Sequence, residues 1–225
     1  MKRKIMLLIL LVCATLSITS CNKKEEEEKM EEKVVAEINE GTVDGYKFKV
    51  TDEVTDRVKI QMENGDIMLV VLSNSDTPIT IENFKKLVSK KFYDGLIFHR
   101  VIENFMIQGG DPTGTGYGSD TVPTIKGEFD KNGVKNKLSH TRGVISMARR
   151  GGNPETADTM NSASSQFFIC HADATYLDGS YASFGKVFAG LDVLDKIASV
   201  ETNSNDKPLK EQKIKSIRFI EIVEE

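Results

Sequence analysis

The sequence has few of the residues that build disulfide frameworks or zinc sites. Its 225 residues include three cysteines and three histidines. Cys13 lies in a predicted leader and Cys21 is a predicted acylation site, so only Cys170 remains and the mature protein is expected to have no intrachain disulfide. The histidines lack the spacing of zinc ligands, so we predict no metal site and no cofactor. The fold must therefore be held by its hydrophobic core.

The sequence also lacks a basic block and a long apolar run. The net charge is −4, and without a basic patch we predict no nucleic-acid partner. The apolar stretch at residues 5–16 is too short to span a bilayer comfortably. Tryptophan is absent as well, which excludes nothing. With 39% hydrophobic and 28% charged residues, the composition is typical of one globular domain plus a tail.

The first residues have the pattern of an export signal. Residues 2–4 are Lys-Arg-Lys, and the apolar stretch at 5–16 follows. Residues 18–21, Ile-Thr-Ser-Cys, resemble a bacterial lipoprotein cleavage box. We therefore predict a lipoprotein signal peptide at 1–20, a lipid anchor on Cys21 and a place in the bacterial cell envelope, at the periplasmic face or the cell surface. The alternative is an ordinary secretory signal with an incidental cysteine.

A charged tether is predicted between the anchor and the folded part, at residues 21–54. Residues 22–33 are almost free of apolar side chains, so they cannot bury enough surface to offset the entropy of ordering. An acidic block there also resembles surface-export signals, although a solvated spacer is the preferred interpretation. Between 34 and 54, Tyr46 and Phe48 alternate with polar residues, which leaves an edge strand and a linker both open.

The remaining pattern indicates many short strands and two helices. Asn64-Gly65 predicts a tight turn in a hairpin over 57–72. Thr77 and Pro78 predict an N-cap and a first helical residue. A second helix is predicted over 188–200. Further strands are predicted at 143–148, 166–170 and 214–223. This is typical of an all-β sandwich or barrel.

The stretch at 98–111 organises the chain. Two apolar runs separated by Glu103-Asn104 predict two strands joined by a tight turn. Arg100 and Gln108 stand among large apolar neighbours. Buried arginine and glutamine are costly unless hydrogen-bonded, which suggests a wall facing a partner. The alternative is the solvated face of a half-buried strand.

Three motifs carry a family resemblance. Phe98-His-Arg-Val-Ile followed by Phe105-Met-Ile-Gln-Gly-Gly-Asp resembles the signature of the cyclophilin-type peptidyl-prolyl cis-trans isomerases. Residues 161–170, Asn-Ser-Ala-Ser-Ser-Gln-Phe-Phe-Ile-Cys, resemble the second family signature. Leu177-Asp-Gly with 184–187, Phe-Gly-Lys-Val, resembles the third. The resemblance covers about residues 56–224, and it implies an isomerase domain at 55–225. Its implied fold is mainly β, a closed eight-stranded antiparallel β-barrel capped by two α-helices.

The resemblance implies an enzyme that accelerates isomerisation of X-Pro bonds in exported or folding polypeptides. Arg100 matches the catalytic arginine, which would stabilise the twisted amide. Substrate-binding positions are implied at His99, Phe105, Met106, Gln108, Gly114, Ala148, Arg149, Gln166, Phe168, Leu177, Tyr176 and Tyr181. Among these, Gln108 and Gln166 match residues that position the arginine and hold the substrate backbone.

Strand alternation supports part of this assignment from the residues alone. Phe167 and Ile169 share one face of their strand, so we expect them inside the barrel, with Gln166 and Phe168 in an outer groove. Phe105 does not follow the alternation of its strand, and its place in the pocket depends on the resemblance. The neighbours Cys170 and His171 point to opposite faces, so we do not expect a thiol–imidazole pair.

Two departures from the family pattern affect the expected specificity. Tyr176 and Tyr181 stand where tryptophan and histidine are common in the family, so we predict weak binding of cyclosporin. The loop at 149–160 is longer than usual, so preferences for residues flanking proline do not carry over.

Two rival functions stay open. The first is a non-catalytic, chaperone-like envelope lipoprotein that binds proline-containing segments. The second is a structural envelope lipoprotein, which would need no groove. For either the enzyme or the binding module we expect a monomer whose partners are proline-containing polypeptides.

Overall fold

The computed structural model describes residues 35–118, 120–153 and 155–223. The predicted signal peptide, Cys21 and the charged residues 22–33 lie outside the described residues. Among the helices that are described, none has the length and apolar character needed to cross a membrane.

The described residues form one antiparallel sheet of ten strands together with three α-helices. The strands are β1 (Glu40–Val43), β2 (Tyr46–Val50), β3 (Arg57–Met62), β4 (Ile67–Val71), β5 (Arg100–Ile102), β6 (Met106–Gly109), β7 (Val144–Met147), β8 (Phe167–Cys170), β9 (Ser183–Ala189) and β10 (Ile214–Ile222). The helices are α1 (Pro78–Ser89), α2 (Ala157–Met160) and α3 (Leu191–Ala198).

The strand order is β1-β2-β10-β3-β4-β9-β7-β8-β6-β5. The mainly β class with few helices is confirmed, but the closed eight-stranded barrel is wrong. In the part of the chain that the structure describes, the sheet has ten strands and no continuous ladder closes it. On the β5 side, an isolated bridge joins Ile97 to Lys213, and the Phe98 amide donates to the Gln212 carbonyl at 2.9 Å. Residues 97 and 98 precede β5 and are not part of a regular strand, so the β5 edge of the sheet meets the residues before β10 without a ladder.

Both predicted hairpins form. Strands β3 and β4 pair around the turn that contains Gly65, whose φ is +95°. Strands β5 and β6 pair around a turn in which Asn104 has a φ of +60°. Asparagine and glycine adopt this left-handed conformation with little strain, which explains why the sequence signals were accurate here.

Helix α1 begins at Pro78 as predicted, but its N-terminus is capped differently. The side chain of Thr77 makes no capping hydrogen bond. The carboxylate of Glu128 instead accepts hydrogen bonds from the Ile79 and Thr80 amides at 3.1 and 2.8 Å. A carboxylate at this end also interacts favourably with the helix dipole.

The hairpin β1–β2 settles the open question at residues 40–50. Strand β2 pairs with β10, and Phe48 is buried against the sheet. On the same side, Lys59 donates from Nζ to the Ile38 carbonyl at 2.6 Å, and Gln61 donates to the Ala36 carbonyl at 2.9 Å. The folded part therefore extends well before residue 55, where the sequence analysis placed the boundary.

The main core lies between the inner faces of the strands and the helices α1 and α3. Phe84 of α1 and Leu194 of α3 are fully buried in this cluster. Phe167 and Ile169 of β8 belong to it, whereas Phe168 lies in a separate apolar cluster on the other face. Strand alternation predicted this division.

Candidate active site

A small cavity lies over the outer face of β5, β6 and β8. Its volume is about 140 Å³. Strands β5, β6 and β8 supply three kinds of group: a guanidinium, a thioether and an aromatic ring. The lining residues are Arg100, Phe105, Met106, Gln108, Ala148, Arg149, Phe168, Leu177 and Tyr181. We refer to it below as the small pocket. The structure thus brings together nine of the thirteen residues that the resemblance implied, including Phe105, which lies in the β5–β6 turn.

Arg100 is the first residue of β5, and its side chain is 42% exposed. It lies opposite Gln108 in the ladder that joins β5 to β6. Its Nε donates to Oδ2 of Asp206 at 3.3 Å. A guanidinium keeps its charge at any physiological pH, so the small pocket has a permanent cationic donor at its edge.

The two glutamines are hydrogen-bonded to each other. Gln108 donates from Nε2 to Oε1 of Gln166 at 2.9 Å, and Gln166 donates to the Gly116 carbonyl at 3.2 Å. Among the described residues, the side-chain hydrogen bond of Arg100 goes to Asp206 and not to Gln108. The positioning role implied for the glutamines is therefore not visible as a direct contact with the arginine.

Phe168 forms the floor of the small pocket and is supported from behind. The His140 ring stacks on it with centroids 5.9 Å apart and an interplanar angle of 14°. His140 is hydrogen-bonded through Nδ1 to Asp178 at 2.7 Å and through Nε2 to Ser146 at 3.0 Å. Burial lowers the pKa of His140, and this outweighs the opposing effect of Asp178.

This Ser–His–Asp chain has the connectivity of a hydrolase triad but not its accessibility. Ser146 is fully buried, so its hydroxyl cannot reach a substrate carbonyl. A nucleophile must contact the reacting atom, and Ser146 cannot. The hydrogen bonds of Ser146 and Asp178 therefore fix the orientation of the His140 ring behind Phe168.

Arg149, an implied substrate-binding residue, lines the small pocket. Its side chain is only 3% exposed. The guanidinium carbon lies 5.0 Å from the Phe129 centroid and 4.8 Å from the Tyr181 centroid. Arg149 also forms an ion pair with Glu155 and donates to the Ser180 carbonyl at 2.9 Å. The charge is thus buried with partners, behind the Tyr181 wall of the small pocket.

Asp111 organises the glycine-rich loop after β6. Its carboxylate accepts hydrogen bonds from the amides of Thr113 at 2.9 Å and Gly116 at 2.6 Å. Although burial raises the pKa of Asp111, the Thr113 and Gly116 donors hold it below its usual value. Gly114, an implied substrate position, has a φ of +63°, and a Cβ added there would lie 3.2 Å from Cδ1 of Ile97.

Two further implied residues lie outside the lining of the small pocket. His99 is 5% exposed, and neither ring nitrogen has a hydrogen-bond partner among the described residues. Burial lowers its pKa. Tyr176 is 70% exposed, and its ring lies 6.0 Å from that of Phe105, beside the pocket.

Cys170 is a buried free cysteine in the cluster beneath the small pocket. Burial raises the pKa of its thiol to about 12, so the reactive thiolate is not formed at neutral pH. In the described part of the chain, no cluster of three or more His, Cys, Asp or Glu residues is placed to bind a metal ion.

A second, larger cavity of about 460 Å³ adjoins the small pocket. Gln108, Ala148 and Arg149 line both cavities, and Gln166 with Gly116 lines the larger one. A chain segment placed in the small pocket would therefore have its neighbouring residues close to the larger cavity.

Sequence reasoning missed three groups that shape this site. Asp206, Phe129 and Glu155 all contact arginines of the pocket. Asp206 lies 106 positions from Arg100 in the chain, and no local pattern marks such a pairing. Within the loop at 149–160, Glu155 contacts the site through its ion pair with Arg149.

Comparison with known proteins identifies the region. Residues 57–219 match the family model described as cyclophilin type peptidyl-prolyl cis-trans isomerase/CLD. The chain is 40% identical over 153 residues to peptidyl-prolyl cis-trans isomerase-like 1 of Emericella nidulans. The aligned region covers 68% of this chain and 88% of that protein. It is 42% identical over 158 residues to peptidyl-prolyl cis-trans isomerase ppi1 of Schizosaccharomyces pombe, with coverage of 70% and 94%.

Solved structures agree with these matches. A cyclophilin type peptidyl-prolyl cis-trans isomerase of Cryptosporidium parvum is 33% identical, with a TM-score of 0.63 and coverage of 72% of this chain and 96% of that one. A structure of that protein in the presence of the dipeptide Ala-Pro is 31% identical, with a TM-score of 0.62 and coverage of 75% and 99%. The family match begins at residue 57, so it does not bear on the predicted leader.

Proposed function

Because the chain belongs to the cyclophilin-type peptidyl-prolyl cis-trans isomerases, we propose that Arg100 catalyses this reaction by stabilising the twisted X-Pro amide. The observation that carries the proposal is the position of Arg100 at the edge of a small pocket lined by Phe105, Met106, Phe168 and Leu177. One charged donor therefore adjoins an apolar site suited to a proline ring.

The reaction needs little covalent chemistry. Resonance in the C–N bond gives a rotation barrier of about 18–20 kcal/mol. Without a catalyst, X-Pro isomerisation takes about tens to hundreds of seconds. No bond is broken, so neither a nucleophile nor a metal is required, and catalysis depends on binding the twisted state more tightly than either planar state.

Arg100 fits the electronic change during rotation. As the amide twists, the prolyl nitrogen becomes pyramidal and regains a lone pair that can accept a hydrogen bond. The hydrogen bond to Asp206 uses Nε of Arg100, and the guanidinium has further N–H donors on its terminal nitrogens. A preorganised donor directed at charge that appears only in the transition state lowers the barrier without tightening the ground state.

The apolar lining holds the proline ring while the preceding residue rotates. Met106 and Phe168 are almost fully buried in one cluster, with Phe105 and Leu177 packed against it. Aromatic and thioether groups supply contact area without competing hydrogen bonds. The hydrogen-bonded pair Gln108–Gln166 lies beside this lining and offers amide groups for the substrate backbone.

The rival function is a binding module that retains proline-containing segments without turnover. The test is a protease-free assay of cis–trans exchange in an Ala-Pro peptide, combined with titration of the same peptide by NMR. We expect both binding and acceleration. Binding without acceleration by folded protein would replace the catalytic proposal with the binding module.

We also propose that the chain is a monomeric bacterial envelope lipoprotein, anchored through Cys21 after removal of residues 1–20, that acts on exported or folding polypeptides. The Lys-Arg-Lys start, the apolar run and the Ile-Thr-Ser-Cys sequence support this. Expression in a bacterium fed a labelled fatty acid tests it. Parent protein should carry label and partition into detergent, and Cys21→Ser should not. Label in both proteins, or in neither, would contradict the anchor.

A further inference from the structure

The only charged partner of Arg100 among the described residues comes from outside the three sequence motifs. Nε of Arg100 lies 3.3 Å from Oδ2 of Asp206, and both side chains are 42% exposed. We propose that Asp206 is a positioning residue that fixes the orientation of the Arg100 guanidinium. The inference rests on the catalytic role proposed above for Arg100, and it adds a residue that acts through it.

The loop that presents Asp206 is held by its own hydrogen bonds. Oδ1 of Asn203 accepts from the amides of Asn205 and Lys207 at 2.9 and 3.1 Å. The Asn203 amide donates to the Lys207 carbonyl at 2.9 Å, and the Asp206 amide donates to the Asn203 carbonyl at 3.0 Å. The loop is therefore a closed, internally bonded turn with Asp206 at a fixed point.

Asp206 is also bonded to the strand that carries the arginine. The Val101 amide donates to the Asp206 carbonyl at 2.8 Å. The main chain of Asp206 thus contacts residue 101 while its side chain contacts residue 100. Two contacts to consecutive residues of β5 fix the carboxylate relative to the base of the Arg100 side chain.

The alternative support for Arg100 is already engaged elsewhere. Gln108 faces Arg100 across the β5–β6 ladder, but its amide donates to Gln166. A long side chain without a partner would sample several rotamers, and holding Nε restricts the plane of the guanidinium. An ion pair this exposed contributes little to folding stability, so its effect should appear in catalysis instead.

The backbone at Asp206 decides which variants test the idea. Its φ is +60°, a conformation that glycine and asparagine adopt readily and alanine does not. Asp206→Gly therefore removes the carboxylate without adding strain. Asp206→Asn keeps an oxygen acceptor in place of the carboxylate. The matched control is Asn205→Gly, which introduces a glycine into the same loop and leaves Asp206 intact.

The experiment measures kcat and KM of the full chain on an Ala-Pro peptide for these variants and for Arg100→Ala. We expect Asp206→Gly to lower kcat by about tenfold with KM and the urea midpoint nearly unchanged, since misplacement of a catalytic group acts on the transition state. Asp206→Asn should recover most of that loss, and Asn205→Gly should match the parent.

The double variant Arg100→Ala with Asp206→Gly shows whether Asp206 acts through Arg100 or independently of it. In the Arg100→Ala background, Asp206→Gly should cause no further loss, because its effect passes through the arginine. A parent-like Asp206→Gly, or an equal loss in both backgrounds, would overturn the positioning role and leave the proposed function intact. If Arg100→Ala itself retained parent activity, the proposed function and this inference would both be wrong.

Discussion

The guanidinium carbon of Arg149 lies 4.8 Å from the centre of the Tyr181 ring, and the Tyr181 ring meets Phe168 edge to face at 5.8 Å. A buried cation therefore supports one wall of the small pocket through an aromatic side chain. The Glu155 carboxylate, in the loop at 149–160, pairs with this cation. The loop therefore contacts the pocket wall through Arg149 and Tyr181.

Replacing Arg149 should loosen that wall. Arg149→Met keeps an unbranched side chain but loses the charge, the ion pair and the hydrogen bond to Ser180. We expect a loss of about 2–3 kcal/mol in unfolding free energy, typical of hydrogen bonds to charged groups, together with a raised KM and a smaller change in kcat. Urea unfolding measures the change in stability, and peptide kinetics measure the changes in KM and kcat. The control for stability is Arg150→Met, since that neighbour is exposed. Equal stability in the two variants would contradict the account.

Two buried imidazoles predict lower stability in mild acid. Burial lowers the pKa of both His140 and His99 in the folded protein, whereas the unfolded side chains titrate near 6.5. As the pH falls below 6.5, the unfolded chain takes up protons first, so the free energy of unfolding decreases.

Urea midpoints between pH 7.5 and 5.0 check this sign. The window lies above the range in which Asp178 and Asp111 titrate, since the pKa of each is held below its usual value. The urea midpoint should decrease as the pH is lowered from 7.5 to 5.0. The decrease should be smaller in His140→Gln, even if that variant is already less stable at neutral pH. A midpoint that rises as the pH is lowered, or an unchanged pH dependence in the variant, would contradict a lowered pKa at His140.

The end of β6 should not tolerate a side chain at Gly110. Its φ is +83°, and an added Cβ would lie 2.5 Å from the Ser165 carbonyl oxygen. Gly133 has a similar φ of +77° with open space around it. Gly133→Ala should therefore lose about 1 kcal/mol from backbone strain alone. Gly110→Ala should lose clearly more in the same denaturation assay, and equal losses would mean that the crowding is relieved.

The N-terminal hairpin should behave as part of the fold. Phe48 of β2 is 1% exposed and packs with Leu69 and Ile220. Phe48→Ala should therefore cost about 3–5 kcal/mol, as other buried phenylalanines do. Lys49→Ala changes an exposed neighbour and should stay within about 0.5 kcal/mol of the parent. A neutral Phe48→Ala would indicate that β1 and β2 are dispensable.

Features of the fold that depend on neighbouring residues could be predicted from the sequence. The Asn64-Gly65 turn, the start of α1 at Pro78 and the inside–outside division of β8 follow from local geometry. The cap of α1 could not be predicted, because Glu128 lies 48 positions from Thr80. Residues 184–187 of β9 carry part of the third family motif, and no strand is predicted there from the sequence. The resemblance implied a closed sheet, which the described residues do not form. Alternation of apolar and polar residues within a strand does not show whether the first and last strands of a sheet pair.

The residues of the site also fall into those that the sequence could place and those that it could not. Motif matching placed Arg100, Met106 and Phe168 at one pocket, because each lies on a strand whose pairing is regular. It could not place Asp206 or the side-chain partners of Arg149, because these contacts join loops whose approach is set by tertiary packing.

The measurement that tests the central claim most directly is the rate of cis–trans exchange of a proline peptide while it is bound. NMR exchange spectroscopy on the saturated complex gives this rate for the parent and for Arg100→Ala. We predict similar peptide affinity and exchange about 100-fold slower in the variant, the typical effect of removing one preorganised donor. Unchanged exchange in a folded, peptide-saturated Arg100→Ala protein would contradict the claim that Arg100 stabilises the twisted amide.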